Sequence, residues 1–253
     1  MKKRFGCLWI LIAALIVGYA AYWHLTKALD DFGDDFLNAV YAGNLTMVDA
    51  MLKEGESPNK FTSYGNNPMT LAAYAGHADV LKLLLIRGGR VNIRDSGEMT
   101  PLHCAAYYNH VDAGQVLLDA GAELNAPNHY GFTPLSESVN NGYPEMTELL
   151  LRAGASVTNR DNRGWQPLHQ ALRSNEMTAK TRMQIVTLLL DHGADPNAAN
   201  PGGWEEDYKY DSTISPFAAF EKRNPNRGNT PLQIAESNGF QEIAELLIKH
   251  GAK

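Results

Sequence analysis

At 253 residues, with 44% apolar and 20% charged, the chain has room for one or two domains and can bury a core, which excludes disorder throughout. Two cysteines, Cys7 and Cys104, exclude a disulfide-stapled scaffold and any multi-cysteine zinc module. The formal charge is −6, and Lys2, Lys3 and Arg4 supply three of the positive charges; the rest stands at −9, which repels phosphate backbones and excludes non-specific nucleic-acid binding.

The first predicted element is apolar. Phe5 to Thr26 contains no formally charged residue. As a helix these positions span about 33 Å, the thickness of a hydrocarbon core. Trp9 near one end, and Tyr19, Tyr22 and Trp23 near the other, suit the two interfacial belts. Lys2, Lys3 and Arg4 precede the segment and Asp30, Asp31, Asp34 and Asp35 follow it, so the positive-inside rule keeps the N-terminus in the cytoplasm. The expectation is a tip and signal anchor over 1–27 and an acidic spacer over 28–33. The alternative is a cleaved signal, because Gly18 and Ala20 are small enough for cleavage after Ala20. The length of the apolar run, and bulky Tyr22 and Trp23 beyond the cut, favour the uncleaved anchor.

From Asp34 onward the chain repeats. Pro-Leu or Pro-Met recurs at Pro68, Pro101, Pro134, Pro167 and Pro231, the first three intervals being 33 residues and the last 64. A glycine closes a leucine-rich stretch at Gly55, Gly88, Gly121, Gly154, Gly193 and Gly251, again 33 apart over the first three intervals. Thr100, Thr133, Thr230 and Asn67 precede their prolines, and Asp34 stands at the start of the first unit, so each is a predicted helix N-cap. Four residues beyond the proline position come Ala39, Ala72, Ala105, Ser138, Ala171 and Ala235, small enough for helices to approach closely. Met51, Leu84, Leu117, Leu150, Leu189 and Leu247 mark the apolar face of a second helix in each unit. One such pair cannot hide its own apolar face, so the units must stack.

Thr100-Pro101-Leu102-His103-Cys104-Ala105-Ala106 matches the T-P-L-H-x-A-A motif of ankyrin repeats, and Gln166-Pro167-Leu168-His169 most of it. Leu188 to Asn197 resembles the second helix and exit of the same unit. The chain thus resembles an ankyrin-repeat protein over about Asp34 to Lys253, with an N-terminal anchor of bacterial type. The resemblance implies a mainly α solenoid of six helix pairs with hairpin fingers, preceded by a single transmembrane helix. The first unit lacks the motif and the fourth has Ser136 in place of histidine.

The fifth unit carries two insertions: six residues near Arg173 to Arg182, and 25 between Gly193 and Pro231. The larger, at about 200–227, holds Trp204, Tyr208, Tyr210, Phe217 and Phe220 with Glu205, Glu206 and Asp207 among them. A long loop with five aromatics reads either as a partner-contacting flap or as a cover for its own repeats. A short helix over Ser215 to Lys222 is expected within it.

Tyr41, Tyr74 and Tyr107 fall 33 apart, six residues after the proline position, and Tyr108 extends the row. The resemblance places that position on the concave surface used for partner recognition, and tyrosine suits a binding hot spot. Predicted finger tips carry Phe61, Tyr64, His129, Tyr130, Arg160, Arg163 and Arg227, while Trp165 and Phe132 are expected to pack. His103 and His169 are expected to tie neighbouring turns together, with no recurring ligand spacing for a metal. No nucleophile elbow, P-loop or Rossmann glycine pattern occurs. The expectation is a non-enzymatic module that takes no cofactor, metal or small-molecule substrate. It would contact the inner membrane through Phe5–Thr26 and bind a protein partner on the periplasmic side. The other class is a hydrolase-like site at 200–227 using Glu205, Glu206 or Asp207.

Overall fold

The computed structural model describes residues 34–62, 65–174, 177–200 and 229–253. The expected anchor, Tyr64, and the insertion with Trp204, Tyr208 and Tyr210 lie outside the described residues. Among the described residues no helix is long and apolar enough to cross a membrane.

Twelve helices form six antiparallel pairs among the described residues. The inner helices are α1 (Asp35–Tyr41), α3 (Pro68–Tyr74), α5 (Pro101–Tyr107), α7 (Pro134–Asn140), α9 (Pro167–Arg173) and α11 (Pro231–Ser237). The outer helices are α2 (Leu45–Glu54), α4 (Ala78–Ile86), α6 (Val111–Asp119), α8 (Pro144–Arg152), α10 (Ala179–Asp191) and α12 (Gln241–Lys249). Each inner helix packs on the next, each outer helix does the same, and α9 and α10 receive α11 and α12 despite the long insertion.

Every inner helix has seven residues, too short to persist alone, so local capping and stacking decide its existence. The Asp34 carboxylate accepts from the N–H groups of Phe36 and Leu37, and Lys60, 2.7 Å from its other oxygen, anchors it. Thr100, Thr133 and Thr230 cap through their hydroxyls with proline at the first helical position, as their sequence context predicts. The small-residue column is buried throughout, Ala72, Ala105, Ser138, Ala171 and Ala235 to 0% exposure. Of the second-helix column, Leu84, Leu117, Leu150, Leu189 and Leu247 are also sealed.

The smaller insertion is absorbed locally. Four of its six residues lengthen α10 to 13 against nine in α8, and two extend the preceding turn. The fingers are turns rather than paired strands among the described residues. In each, a backbone N–H reaches the carbonyl four residues on: Thr62 to Asn66, Asp95 to Met99, Asn128 to Phe132 and Asp161 to Trp165. Side-chain oxygens of Asp95, Asn128 and Asp161 each accept two further N–H groups of their own loop.

Candidate functional site

The tyrosine row ends the inner helices: Tyr41, Tyr74 and Tyr107 are the last residues of α1, α3 and α5. Tyr41 and Tyr74 rings lie 6.1 Å apart, Tyr74 meets Tyr108 edge-on at 4.3 Å, and Tyr108 meets Tyr107 at 4.8 Å. Contact between successive repeats therefore passes from Tyr74 to Tyr108, with Tyr107 flanking it. Tyr41 and Tyr107 remain 42% and 39% exposed, whereas Tyr74 rests partly on the core. Burial, then a hydrogen bond with Tyr74, pushes the Tyr108 phenol far above its usual range. Burial also raises Tyr41, so both stay neutral donors and acceptors.

Histidines fasten this edge. The Nε2–H of His77 donates to the Tyr41 carbonyl and that of His110 to the Tyr74 carbonyl, each at 2.9 Å. His77 and His110 are the N-caps of α4 and α6, so outer-helix N-termini sit beside inner-helix C-termini. This pairing of residues in adjacent repeats was missed by sequence reasoning; its signal was a histidine three residues after Tyr74 and again after Tyr107.

At the opposite end of the inner helices the fingers touch one another. His129 donates its N–H to the Gly97 carbonyl, and Asn162 gives its N–H to Tyr130 and its side-chain amide to His129. Tyr130 projects, 63% exposed, with the His129 ring at 5.6 Å, and Phe61 is 49% exposed. The Arg163 N–H is held by Asp161, while Arg160 donates to the Gly164 and Ala199 carbonyls. Arg160 thus stiffens a finger. Trp165 is 2% exposed beneath the Arg173 guanidinium, 3.5 Å from its ring centre, which matches the packing expected of it.

Between the fingers and the tyrosines lies a buried polar floor that sequence reasoning did not single out. Asn128 donates its amide to Glu137 at 2.9 Å, and one repeat later Gln170 donates its amide to Asp161 at 3.1 Å. The same contact recurs with carboxylate and amide exchanged. Burial pushes Glu137 up to about 7, its bond from Asn128 acting the other way, and burial likewise raises Asp161. Cys104, next in the row, is driven well above its ordinary range by burial and then by Asp95 and Glu137, which keeps it a protonated, inert thiol.

His103 and His169 behave as the motif leads one to expect. Thr100 donates its backbone N–H to His103 Nδ1 at 3.1 Å, which leaves Nε2–H to donate to the Phe132 carbonyl at 3.0 Å. His169 Nε2 meets the Ala198 carbonyl at 2.8 Å. Burial lowers both to about 4, so both are neutral bridges between repeats. Among the described residues no group of three or more histidine, cysteine or acidic side chains could hold a metal ion.

A family model described as ankyrin repeats (3 copies) matches residues 36–128 and 124–200, and a single ankyrin-repeat model matches 227–253. No curated protein matches the chain. Among solved structures, an ankyrin repeat domain from Acinetobacter baumannii is similar over 86% of this chain and 98% of that one, with 27% identity and a TM-score of 0.71. Helix pairs, finger turns and family models agree over the same residues, and the chain belongs to the ankyrin-repeat family, a scaffold that is typically non-enzymatic and binds other proteins.

Proposed function

We propose that this chain is a single-pass inner-membrane protein whose repeats face the periplasm and bind one partner protein there. Phe5–Thr26 is its anchor, and binding inhibits, regulates or stabilises the partner, for example an envelope enzyme or a toxin effector. No cofactor and no small-molecule substrate enter this reading. The observation that carries it is the contacting array of Tyr41, Tyr74, Tyr108 and Tyr107, which leaves Tyr41 and Tyr107 about two-fifths exposed. Tyrosine supplies large contact area at low entropic cost, and neighbouring rings hold one another in place before a partner arrives. Tyr130, Arg163 and the aromatic insertion with Trp204, Tyr208 and Tyr210 extend the contact in this proposal, with Tyr64.

Tyr41→Ala with Tyr107→Ala tests the surface. Co-purification of the partner from an envelope fraction is expected to be abolished while thermal unfolding moves little. A double variant that keeps the partner overturns the proposed surface. Tyr74→Ala is the poorer probe, because Tyr74 also rests on the core. A periplasm-active reporter fused after Lys253 tests the topology, and activity only in the cytosolic orientation would refute it. Cleavage after Ala20, suggested by Gly18 and Ala20, would give the same binding role to a soluble periplasmic protein; the mass of the mature chain separates the two.

A further inference from the structure

The outer-helix ends beside the tyrosine edge carry acidic side chains in repeats two to four, while the first turn of α2 carries none. Asp79, Asp112 and Glu145 stand in the first turns of α4, α6 and α8, and His77 and His110 bind the first two of these helix ends to the tyrosine-bearing termini. All three are exposed, the Asp79 side chain to 79%, and Lys82 meets Asp79 at 3.5 Å. In repeat five the sign reverses, with Arg173 ending α9 and Lys180 in the first turn of α10. Lys53, Arg152 and Lys249 lie in the last turns of α2, α8 and α12, at the other ends of those helices.

We infer that the tyrosine edge of repeats one to four binds an extended, arginine-bearing segment of the partner, with guanidinium groups over the tyrosine rings and against Asp79, Asp112 and Glu145. This rests on the tyrosine surface proposed above and names the chemistry of its occupant. Arginine fits better than lysine, because its plane both stacks on aromatic faces and pairs with carboxylates in a fork. The repeat sets the spacing. Helices in contact sit about 8–10 Å apart, and an extended chain rises about 3.3 Å per residue. Cations at every third residue therefore meet Asp79, Asp112 and Glu145 in turn across repeats two to four. The overall charge of −6 draws such a segment in from a distance and makes its arrival salt-dependent.

The probe is a fluorescent peptide of three Arg-Ala-Ser units, titrated by anisotropy into the full-length protein in mild detergent at low and high salt. Lysine and glutamate versions serve as comparisons. The arginine peptide is expected to bind most tightly and the glutamate peptide not at all. Asp79→Asn with Asp112→Asn should weaken binding about tenfold and flatten its salt dependence. Tyr41→Ala with Tyr107→Ala should weaken it to a similar extent, with circular dichroism unchanged in both variants. Equal binding of the arginine and glutamate peptides, or affinity indifferent to both double variants, overturns the inference. Retention of the native partner separates the two failures. If the tyrosine variant loses it and the aspartate variant keeps it, the surface stands and the cationic occupant falls. If both variants keep it, the surface itself falls.

Discussion

In five of the six repeats a backbone N–H closes the turn between helices. The carbonyls of Ala39, Ala72, Ala105, Ser138 and Ala235 accept from the N–H groups of Asn44, His77, His110, Tyr143 and Phe240 at 2.8–2.9 Å. Repeat five does otherwise, because Ser174 turns into extended backbone directly after α9 and its longer turn carries that N–H away. The Ala171 carbonyl accepts instead from Arg182 Nη1 at 2.7 Å, while Nη2 reaches the Ser174 carbonyl at 2.7 Å. Arg182 is 5% exposed, and its guanidinium lies 4.3 Å from the Phe240 ring centre, so one side chain closes repeat five and seats repeat six. An insertion is tolerated in a solenoid when some other donor satisfies the carbonyl it orphans.

Breaking that donor should have the largest effect. Arg182→Met keeps an apolar stem beside Phe240 but leaves the Ala171 and Ser174 carbonyls unpaired, a cost of about 3 kcal/mol. Because repeats are coupled mainly to their neighbours, the loss should fall on the end of the array. Urea unfolding followed by circular dichroism is expected to gain an early phase belonging to repeat six. At a regular junction, His110→Ala removes the bond to the Tyr74 carbonyl and the stacking contact with Tyr108, and should cost about 1 kcal/mol in a single transition. Equal losses and equal cooperativity in the two variants would show that the junctions do not differ.

The second contrast concerns the polar floor, where repeat four buries Glu137 under Asn128 and repeat five buries Asp161 beside Gln170. Glu137 has its folded-state pKa raised from 4.5 to about 7. Between those values the unfolded chain has lost a proton that the folded chain keeps, so this contribution is full below 4.5 and disappears as pH rises to about 7. His103 and His169 act in the other direction. Lowered from 6.5 to about 4, each contributes stability that is present above 6.5 and is lost as pH falls through the folded value. Glu137→Gln keeps an oxygen for Asn128 and removes the ionisation. It should raise stability by roughly 2 kcal/mol near pH 8 and leave it almost unchanged near pH 4. Chemical denaturation at both pH values measures this, and an equal effect at the two would mean that Glu137 does not titrate with folding.

Residues that repeat in register were legible in the sequence, and residues that substitute for a repeated feature were not. The proline and glycine periods, the capping residues and the Ala39-to-Ala235 column prescribe six helix pairs, because each acts within its own unit. Asn59, Asn92 and Asn125 also recur every 33 residues, yet went unremarked. Each holds the loop of the next repeat, Asn59 through Arg90 N–H, Asn92 through Glu123 N–H and Asn125 through Ser156 N–H. Asn197 does the same for Lys253, across the long insertion. Arg182 falls in no register, so only its three-dimensional position reveals it as a surrogate for a backbone donor. The exchange of carboxylate and amide between Glu137 and Asp161 was equally hidden, since Glu137 stands between serines in a helix, Asp161 among polar residues of a loop, and neither sequence context reveals its partner. Of the candidate binding residues, Tyr41, Tyr74, Tyr107 and Tyr108 come together, and Tyr130 and Arg163 sit on fingers at the far end of the inner helices.

The finest comparison is between fingers. Gly65, Gly131 and Gly164 adopt φ of 82°, 77° and 79° at equivalent positions, and in the second finger Glu98 is forced to 59°. A side chain in this left-handed region brings its Cβ against the backbone, which costs about 1 kcal/mol. Glycine relieves the clash but gives the unfolded chain extra freedom, which returns part of the gain. The pairing of Glu98 with Arg94 at 3.3 Å is solvent-exposed and contributes little. Glu98→Gly should therefore stabilise the protein by about 0.5 kcal/mol. Glu98→Asn should gain a smaller share, since asparagine tolerates this conformation better than glutamate. Thermal melts of the two variants beside the parent chain test the order. A loss of stability on Glu98→Gly would mean that the Arg94 pairing outweighs the strained backbone, and would make this finger unlike its neighbours by design of charge rather than by tolerance of strain.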